Sequence, residues 1–489
     1  MSGRNIYLTM TSANKAREVF LARFSDHPRL DAEELFAADA AGRVLIEPVY
    51  ARFCSPSFHA AAMDGIAVTA EKTFGASEKK PLDLTIGREA FYVNTGGRIP
   101  AQTDAVIMIE DVVALGEGVV RIEKAAYPWQ HVRKVGEDIV ATEMLFPRNH
   151  LVRPSCVNAL LAAGAFRVKV KKKPRVLLIP TGDELLPWED ATEEALSQGK
   201  VVESNSYMLE KMVELAGGTA ERTGIVPDRM ESLGEAVAKG VAAGHDLVLV
   251  LAGSSAGSHD HTKNVLSSLG EVLVHGVSLM PGKPVILADV KDVPVVGVPG
   301  YPVSAIVAFS EFVEPILCRM LGVRPEPRPS VSAVPTRKVP SRIGMEELVR
   351  VKLGRVGDTL VATPLPRGAG SITSFVRADG VLRVAENREG LPAGEPVQVS
   401  LLPTDQDVSD TIVIVGSHDN TLDLITDLVK ERDPRFGLSS AHVGSMGGLM
   451  AVKKGICHAA GTHLLDTSDG SYNLSYIKKV LPGVPVHLI

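Results

Sequence analysis

Cysteine is scarce, with four residues in 489, at positions 54, 156, 318 and 457, and no C-x-x-C pair. Spacing this wide excludes a disulfide framework and the usual structural zinc sets, and leaves reduced, buried thiols as the expectation. No apolar run approaches the roughly 18 residues that suggest a membrane span. The first ten residues show no basic stretch followed by an apolar core and a small-residue cleavage site, so a cytoplasmic protein is expected. Positive charge is not in excess: 52 Lys and Arg against 58 Asp and Glu give −6, which leaves no footprint for nucleic acid. The one basic run, 169–173, reads as a solvated strand end. A G-x-x-x-x-G-K-[ST] loop is missing, and no G-x-G-x-x-G opens an α/β segment, so ATP and dinucleotide sites lack support. Apolar and charged fractions of 45% and 22% are those of an ordinary soluble chain.

What is present is enough length for several cores, since domains hold about 100–200 residues each. The first 50 residues carry apolar spacing that predicts two opening helices, with Val19, Phe20 and Phe24 on one and Leu35 and Phe36 on the other. From about 55 to 146 the texture changes to short β-like runs, such as 82–86, 105–109 and 119–122, punctuated by glycine and proline. A helix is expected over 154–163, started by Pro154 and capped by Gly164, and closes a unit over 1–172. From 173 to 325 strands of Val, Leu and Ile alternate with helices, which predicts a doubly wound α/β domain with a parallel sheet. Short strands return over 330–403 as a small β domain. Residues 410–489 begin a further α/β lobe, which looks partial. The fold class is thus multi-domain α/β, with an N-terminal helical and β-rich unit.

In open α/β sheets, ligands gather where strands end and helices begin. Three such loops stand out. After strand 175–179 comes Pro180-Thr181-Gly182-Asp183-Glu184-Leu185, whose glycine permits close backbone approach and whose carboxylates offer hard oxygen ligands for Mg²⁺. A helix cap with a solvated carboxylate is an equal alternative when the loop is read alone. After strand 247–251, the segment 252–263 is dense in Gly and Ser, a cradle for a phosphate or another oxyanion. His259 and His261 flank Asp260 there, but residues two apart project differently on a helix, which argues against a histidine metal site. The third loop, Met280-Pro281-Gly282-Lys283-Pro284, precedes Val298-Pro299-Gly300-Tyr301-Pro302-Val303-Ser304. Paired prolines either hold the Lys283 ammonium toward an anion or simply make a rigid turn.

Together the motifs resemble the molybdopterin molybdotransferase family, the MoeA-like proteins that include the C-terminal part of gephyrin. The resemblance covers about residues 10 to 402. It rests on Ala62-Met63-Asp64-Gly65-Ile66-Ala67, Asn94-Thr95-Gly96 running to Pro100, Asp104-Ala105-Val106 with Glu110-Asp111, Gly136-Glu137-Asp138-Ile139, Thr181-Gly182-Asp183-Glu184-Leu185 and Ser204-Asn205. There are departures. The loop usually written G-G-V-S-x-G-[DE]-x-D has Ala252 for its first glycine and Ser258 for its first acid, with Asp260 retained. K-P-G-K-P becomes M-P-G-K-P at Met280, and L-P-G-N-P becomes V-P-G-Y-P at Tyr301. Gly344-Met345-Glu346-Glu347-Leu348, Gly368-Ala369-Gly370-Ser371 and Ala378-Asp379-Gly380 are similar to the family's elements in the small β domain.

The resemblance implies an enzyme that takes adenylylated molybdopterin and molybdate or tungstate, cleaves the pyrophosphate, releases AMP and leaves the metal on the dithiolene, with Mg²⁺ as cofactor. It implies catalytic roles for Asp64, Thr95, Asp138, Glu184, Asp228 and Asp260, and metal binding by Asp183, Glu184 and Asp260. Substrate contacts are implied for Thr181, Gly182, Ser204, Asn205, Gly253, Ser255, Gly257, Lys263, Lys283, Pro299, Pro302 and Ser371. A homodimer is implied as well, with Asp64, Thr95 and Asp138 approaching the partner's pterin domain; no nucleic-acid or membrane partner is expected. The last segment is similar to a periplasmic-binding-protein-like module, in which Ser417, Ser445 and Thr462 either bind a small oxyanion or cap helices. Two other readings remain, a pterin-binding scaffold without catalysis and an oxyanion sensor.

Overall fold

Runs of Val, Leu and Ile bounded by glycine and proline become the buried strands of the larger of two units. The computed structural model describes residues 10–25, 30–252, 261–403 and 408–489. Residues 29–173 with 321–323 form one unit and the rest of the chain the other. In the larger unit a six-stranded sheet runs in the order Thr219–Arg222, Arg175–Pro180, Leu247–Ala252, Val293–Pro299, Ile286–Val290, Glu271–His275. The first four strands are parallel, and Ile286–Val290 is antiparallel to both its neighbours. The expected parallel sheet therefore carries one reversed strand. Only Lys291 and Asp292 separate it from the next, too few for a crossover, and both take positive φ, 53° and 64°, as a tight hairpin requires.

Strand periodicity of two sends alternate side chains to opposite faces. Val176, Leu178, Leu247, Leu249 and Val296 pack under helices Ala13–Arg23, Asn205–Leu215 and Pro302–Ala308. Leu177, Ile179, Val248 and Val250 pack under Met230–Ala242 and His261–Leu269, so the sheet is covered on both sides and the domain is doubly wound. The opening helix thus belongs to this core through Ala13, Ala16 and Phe20. The second helix expected near the N-terminus is instead a strand, Ala32–Phe36, antiparallel to Arg167–Lys171. There Leu35 packs on the core while Phe36 is exposed, a period of two imposed by a partner strand some 130 positions away that local spacing cannot reveal. The basic run lies on that partner and its flank, where Lys169 pairs with Glu47 at 3.3 Å and Lys172 with Asp31 at 3.0 Å.

In the smaller unit, Gly65–Val68 sits between Ala90–Val93 and Ala105–Met108, and Val119–Ile122 between Leu82–Thr85 and Val112–Gly116. Ile66, Val68, Leu84, Ile107, Val120 and Ile122 share their core. Helix Pro154–Ala162 starts on proline and is followed by Gly164 at φ +76°, the left-handed exit that favours glycine.

In the larger unit, strands Glu346–Val356, Thr359–Pro364, Ser330–Pro335, Val397–Leu401 and Gly380–Val384 pair in that order, and the last returns to the first. This closed barrel is filled by Val349, Val351, Leu382, Val384 and Val399. Leu279–Met280 of the α/β domain pairs in parallel with Glu346 and Glu347 of the barrel. The buried Glu311 carboxylate meets both Arg17 and Arg383, and Arg383 also bonds Glu346 at 2.7 Å. All four cysteines are free, and Cys156, Cys318 and Cys457 are buried. No helix among the described residues is long and apolar enough to cross a membrane.

The last segment forms a parallel pair, Thr411–Gly416 with Gly437–His442, flanked by helices Thr421–Arg432, Ser445–Lys453 and Leu474–Val480. Val413, Val415, Ala441 and Ala451 pack with Val361 of the barrel. Gly354 makes this approach possible: a Cβ there would lie 2.3 Å from Cγ2 of Val413 and 3.2 Å from the Thr411 carbonyl oxygen. Gly354→Val should therefore force the lobe off the barrel and cost about 1–3 kcal/mol, lowering the midpoint of urea unfolding. An unaltered midpoint would show that the contact contributes nothing.

Candidate functional site

The carboxyl ends of the sheet strands and one side of the barrel enclose a cavity of about 950 Å³. Thr181 and Glu184 reach it from the end of Arg175–Pro180, and Pro299 and Pro302 from the end of Val293–Pro299. Ser204, Asn205 and Lys283 complete that wall, while Arg342, Glu347, Arg367, Ala369 and Gly370 come from the barrel. The pairing of Leu279–Met280 with the barrel brings the Pro281–Pro284 loop opposite Glu347 and Leu348.

Local bonds fix each part. Gly182 takes φ +153°, and a Cβ on it would lie 2.7 Å from both Glu184 carboxylate oxygens, so glycine is what lets that carboxylate fold back over the turn. The Asp183 carboxylate accepts the Asp228 amide at 3.3 Å, and the Asp183 carbonyl accepts Lys200 Nζ at 2.7 Å. Glu203 is buried and accepts both the Ser206 amide at 2.8 Å and the Ser206 hydroxyl at 2.5 Å. It satisfies a donor in the first turn of Asn205–Leu215 and places negative charge at the helix's positive end. Asn205 Nδ2 donates to the Gly300 carbonyl at 2.6 Å, tying that helix to the proline-flanked loop. The Thr181 hydroxyl is buried with no hydrogen-bond partner among the described residues, a deficit of about 1–3 kcal/mol that a ligand acceptor would relieve.

Beneath the barrel wall, the buried Arg350 guanidinium donates to the Pro366 carbonyl at 2.6 Å, the Gly368 carbonyl at 3.2 Å and the Ser374 hydroxyl at 3.1 Å. It braces the loop that carries Arg367, Ala369 and Gly370 into the cavity. Burial, and then the like charge of Arg367, push the Arg350 pKa below the usual arginine range against the opposing pull of Glu347. Arg367 itself bonds Glu347 at 3.0 Å, whereas Lys283 and Arg342 are exposed at the cavity.

Several residues expected at the site lie elsewhere. Lys263, on the first turn of His261–Leu269, does not line the cavity; nor do Asp183, Asp228 and Ser371, although Asp183 and Ser371 adjoin lining residues. Gly253, Ser255, Gly257 and Asp260 lie outside the described residues, as does His259. Among the described residues no three His, Cys, Asp or Glu side chains converge as a metal group. Sequence reasoning did not name Glu203, Arg342, Glu347 or Arg367 as site residues, although Glu347 stands inside the motif Gly344-Met345-Glu346-Glu347-Leu348. Glu203 and Arg367 directly precede motifs already noticed, and that adjacency was the available signal.

In the C-terminal lobe neither Ser417 nor Ser445 caps a helix. Ser417 and Ser445 bond each other, hydroxyl to hydroxyl, at 2.9 Å, and the Ser445 hydroxyl also accepts the His463 amide at 3.0 Å. The adjacent helices have Asn420 and Gly444 at their caps instead. Thr462 accepts Asn473 Nδ2 at its carbonyl, at 3.2 Å.

In the smaller unit Asp64 and Thr95 meet: the Asp64 carboxylate accepts the Thr95 amide at 2.6 Å and its hydroxyl at 3.0 Å. Asp138 is exposed, and its amide donates to the Ser55 carbonyl at 3.0 Å. The Thr95 amide first, and its hydroxyl second, hold the Asp64 pKa below the ordinary aspartate value. A depressed folded-state pKa adds stability that is present above the unfolded value and is lost as pH falls through the folded one, so the window lies below about pH 4. Carbon-detected NMR should find the Asp64 midpoint low in the wild type and raised part of the way in Thr95→Val, which keeps the amide. A midpoint that does not move would exclude the hydroxyl as a contributor.

Residues 11–164 match the MoeA N-terminal region, domains I and II; residues 177–319 match a probable molybdopterin binding domain; residues 332–402 match the MoeA C-terminal region, domain IV. Residues 426–489 match a PBP superfamily domain. A Methanocaldococcus jannaschii protein named for molybdopterin biosynthesis is 33% identical over 406 residues, covering 81% of this chain and 98% of its own length. Molybdopterin molybdenumtransferase 2 of Mycobacterium tuberculosis is 30% identical over 406 residues, covering 76% and 98%. The crystal structure of a molybdopterin biosynthesis MoeA protein from Pyrococcus horikoshii, 33% identical, superposes with a TM-score of 0.67 over 80% of this chain and 99% of that one. The chain belongs to the MoeA family.

Proposed function

We propose that this protein is a molybdopterin molybdotransferase, which inserts molybdate or tungstate into adenylylated molybdopterin with release of AMP during molybdenum cofactor biosynthesis. The observation that carries the reading is the cavity at the strand ends, which the exposed cations Lys283, from the sheet side, and Arg342, from the barrel side, line together with Glu184 and the unsatisfied Thr181 hydroxyl. Cations of this kind hold a pyrophosphate and an oxyanion, and a buried hydroxyl adds a directed donor. The relatives' names, molybdopterin molybdenumtransferase, support the coarser part of this reading, the transfer of molybdenum to molybdopterin.

Magnesium is bound through one or two carboxylates together with phosphate oxygens and water, rather than by an all-protein cage. The donor set fits that pattern: Glu184 faces the cavity, Asp183 is its neighbour, and no fuller acidic group is present among the described residues. Glu184 and Asp183 would hold the ion, and when bound it would supply neutralisation of the pyrophosphate charge. The same reading places Asp64 and Thr95 in the site of a second copy of the chain, making a cytoplasmic homodimer.

The test is AMP release from adenylylated molybdopterin by the purified full chain, with molybdate and with tungstate. Pterin binding without AMP release would favour a scaffold over an enzyme. Glu184→Gln should lower turnover by about 100-fold with the fold intact, because a positioned metal contributes several kcal/mol; wild-type turnover would exclude the carboxylate. Mixing Asp64→Asn subunits with Glu184→Gln subunits should restore partial AMP release, since one composite site in each mixed dimer keeps both residues. No recovery after verified subunit exchange would count against shared sites.

A further inference from the structure

Tyr301 has no part in the assignments above, yet its place in the cavity is distinctive. It stands between Gly300 and Pro302 at the end of strand Val293–Pro299, lines the cavity and is 65% exposed. Among the described lining residues it is the one aromatic side chain. Its backbone is clamped on both sides. The Gly300 carbonyl accepts Asn205 Nδ2 at 2.6 Å, the Tyr301 carbonyl accepts the Ala305 amide at 2.9 Å, and the Val303 amide donates to the barrel's Ala369 carbonyl at 3.0 Å. Gly370 of the barrel loop lies beside the ring, where an added Cβ would stand 3.4 Å from Tyr301 Cδ1 and 3.6 Å from Cε1. A ring carried on a hydrogen-bonded backbone, with Gly370 beside it and most of its surface exposed, leaves apolar area uncovered in a cavity whose polar groups are suited to phosphate.

We propose that Tyr301 is a stacking platform for a planar heteroaromatic ring of the substrate, and so a determinant of its affinity. The inference rests on the molybdotransferase reading, which supplies a substrate with two such rings, the pterin and the adenine. Either ring presents a π-face to the tyrosine, while Lys283 and Arg342 meet the phosphates that join them.

The experiment titrates the purified full chain with molybdopterin under anaerobic conditions and, separately, with AMP. It compares the wild type with Tyr301→Phe and Tyr301→Leu, and circular dichroism confirms each fold. Tyr301→Leu keeps apolar bulk but removes the ring, so it should weaken binding of one of the two probes by about tenfold, while Tyr301→Phe stays close to wild type. The probe that loses affinity identifies the ring that stacks. Unchanged affinity of both probes for Tyr301→Leu would overturn the proposal, and so would an equal loss in Tyr301→Phe, which would assign the effect to the hydroxyl. Failure of the wild type itself to bind either probe would instead overturn the functional reading, and the stacking role with it.

Discussion

A two-residue parallel ladder, Leu279 and Met280 against Glu346 and Glu347, couples the α/β domain to the barrel. The cavity depends on that joint, because one of its walls is made of sheet loops and the other of barrel loops. So short a ladder is weak alone, and the Glu311 carboxylate reinforces it. Buried on the segment after Pro302–Ala308, it is held by Arg17 of the opening helix and Arg383 of the barrel. A carboxylate out of water is tolerated only when paired and hydrogen-bonded, and two guanidiniums supply both conditions. Removing either arginine would leave the charge under-compensated at the seam, so the same pair that makes the joint costly to disrupt also specifies its geometry.

The site itself is built by backbone more than by side-chain packing. Gly182 lets the Glu184 carboxylate fold over its own turn, Glu203 holds the start of the helix that presents Asn205, and Arg350 grips two carbonyls of the loop carrying Arg367. These devices fix the loops at the cost of some of their own polar groups, Asn205 Nδ2 on Gly300 and Arg367 on Glu347, while the Thr181 hydroxyl keeps no partner among the described residues. Preorganisation of this kind means that charge developing on a phosphate would meet donors already in place.

The C-terminal lobe is joined to the barrel through an apolar contact that a glycine makes possible, and not merely tethered by a linker. Strand Glu346–Val356 touches the cavity near its beginning, at Glu347 and Leu348, and the lobe near its end, at Gly354. One rigid element therefore runs from the candidate site to the appended lobe. Within the lobe, the bonds among Ser417, Ser445 and His463 satisfy the buried Ser445 hydroxyl and that of its half-buried partner Ser417.

Much was legible in the residues alone. Continuous Val, Leu and Ile runs such as Arg175–Pro180 and Leu247–Ala252, alternating with helical patterns, read as strands buried on both faces, and the doubly wound domain followed from that alternation. The loop after Arg175–Pro180 pointed to Thr181 and Glu184, and the proline-flanked segments 280–284 and 298–304 to Lys283 and Pro299, because glycine and proline at strand ends are local signals with local causes. What depended on distant partners was not legible. Ala32–Phe36 has helical spacing but is a strand because Arg167–Lys171 lies beside it, and Arg342 and Arg367 reach the cavity only because the barrel closes and docks on Leu279–Met280. Sequence determined which segments bury apolar surface and which carry charge at their ends; tertiary structure alone decided which of those ends meet, since strand pairing is a contact between residues that no local pattern connects.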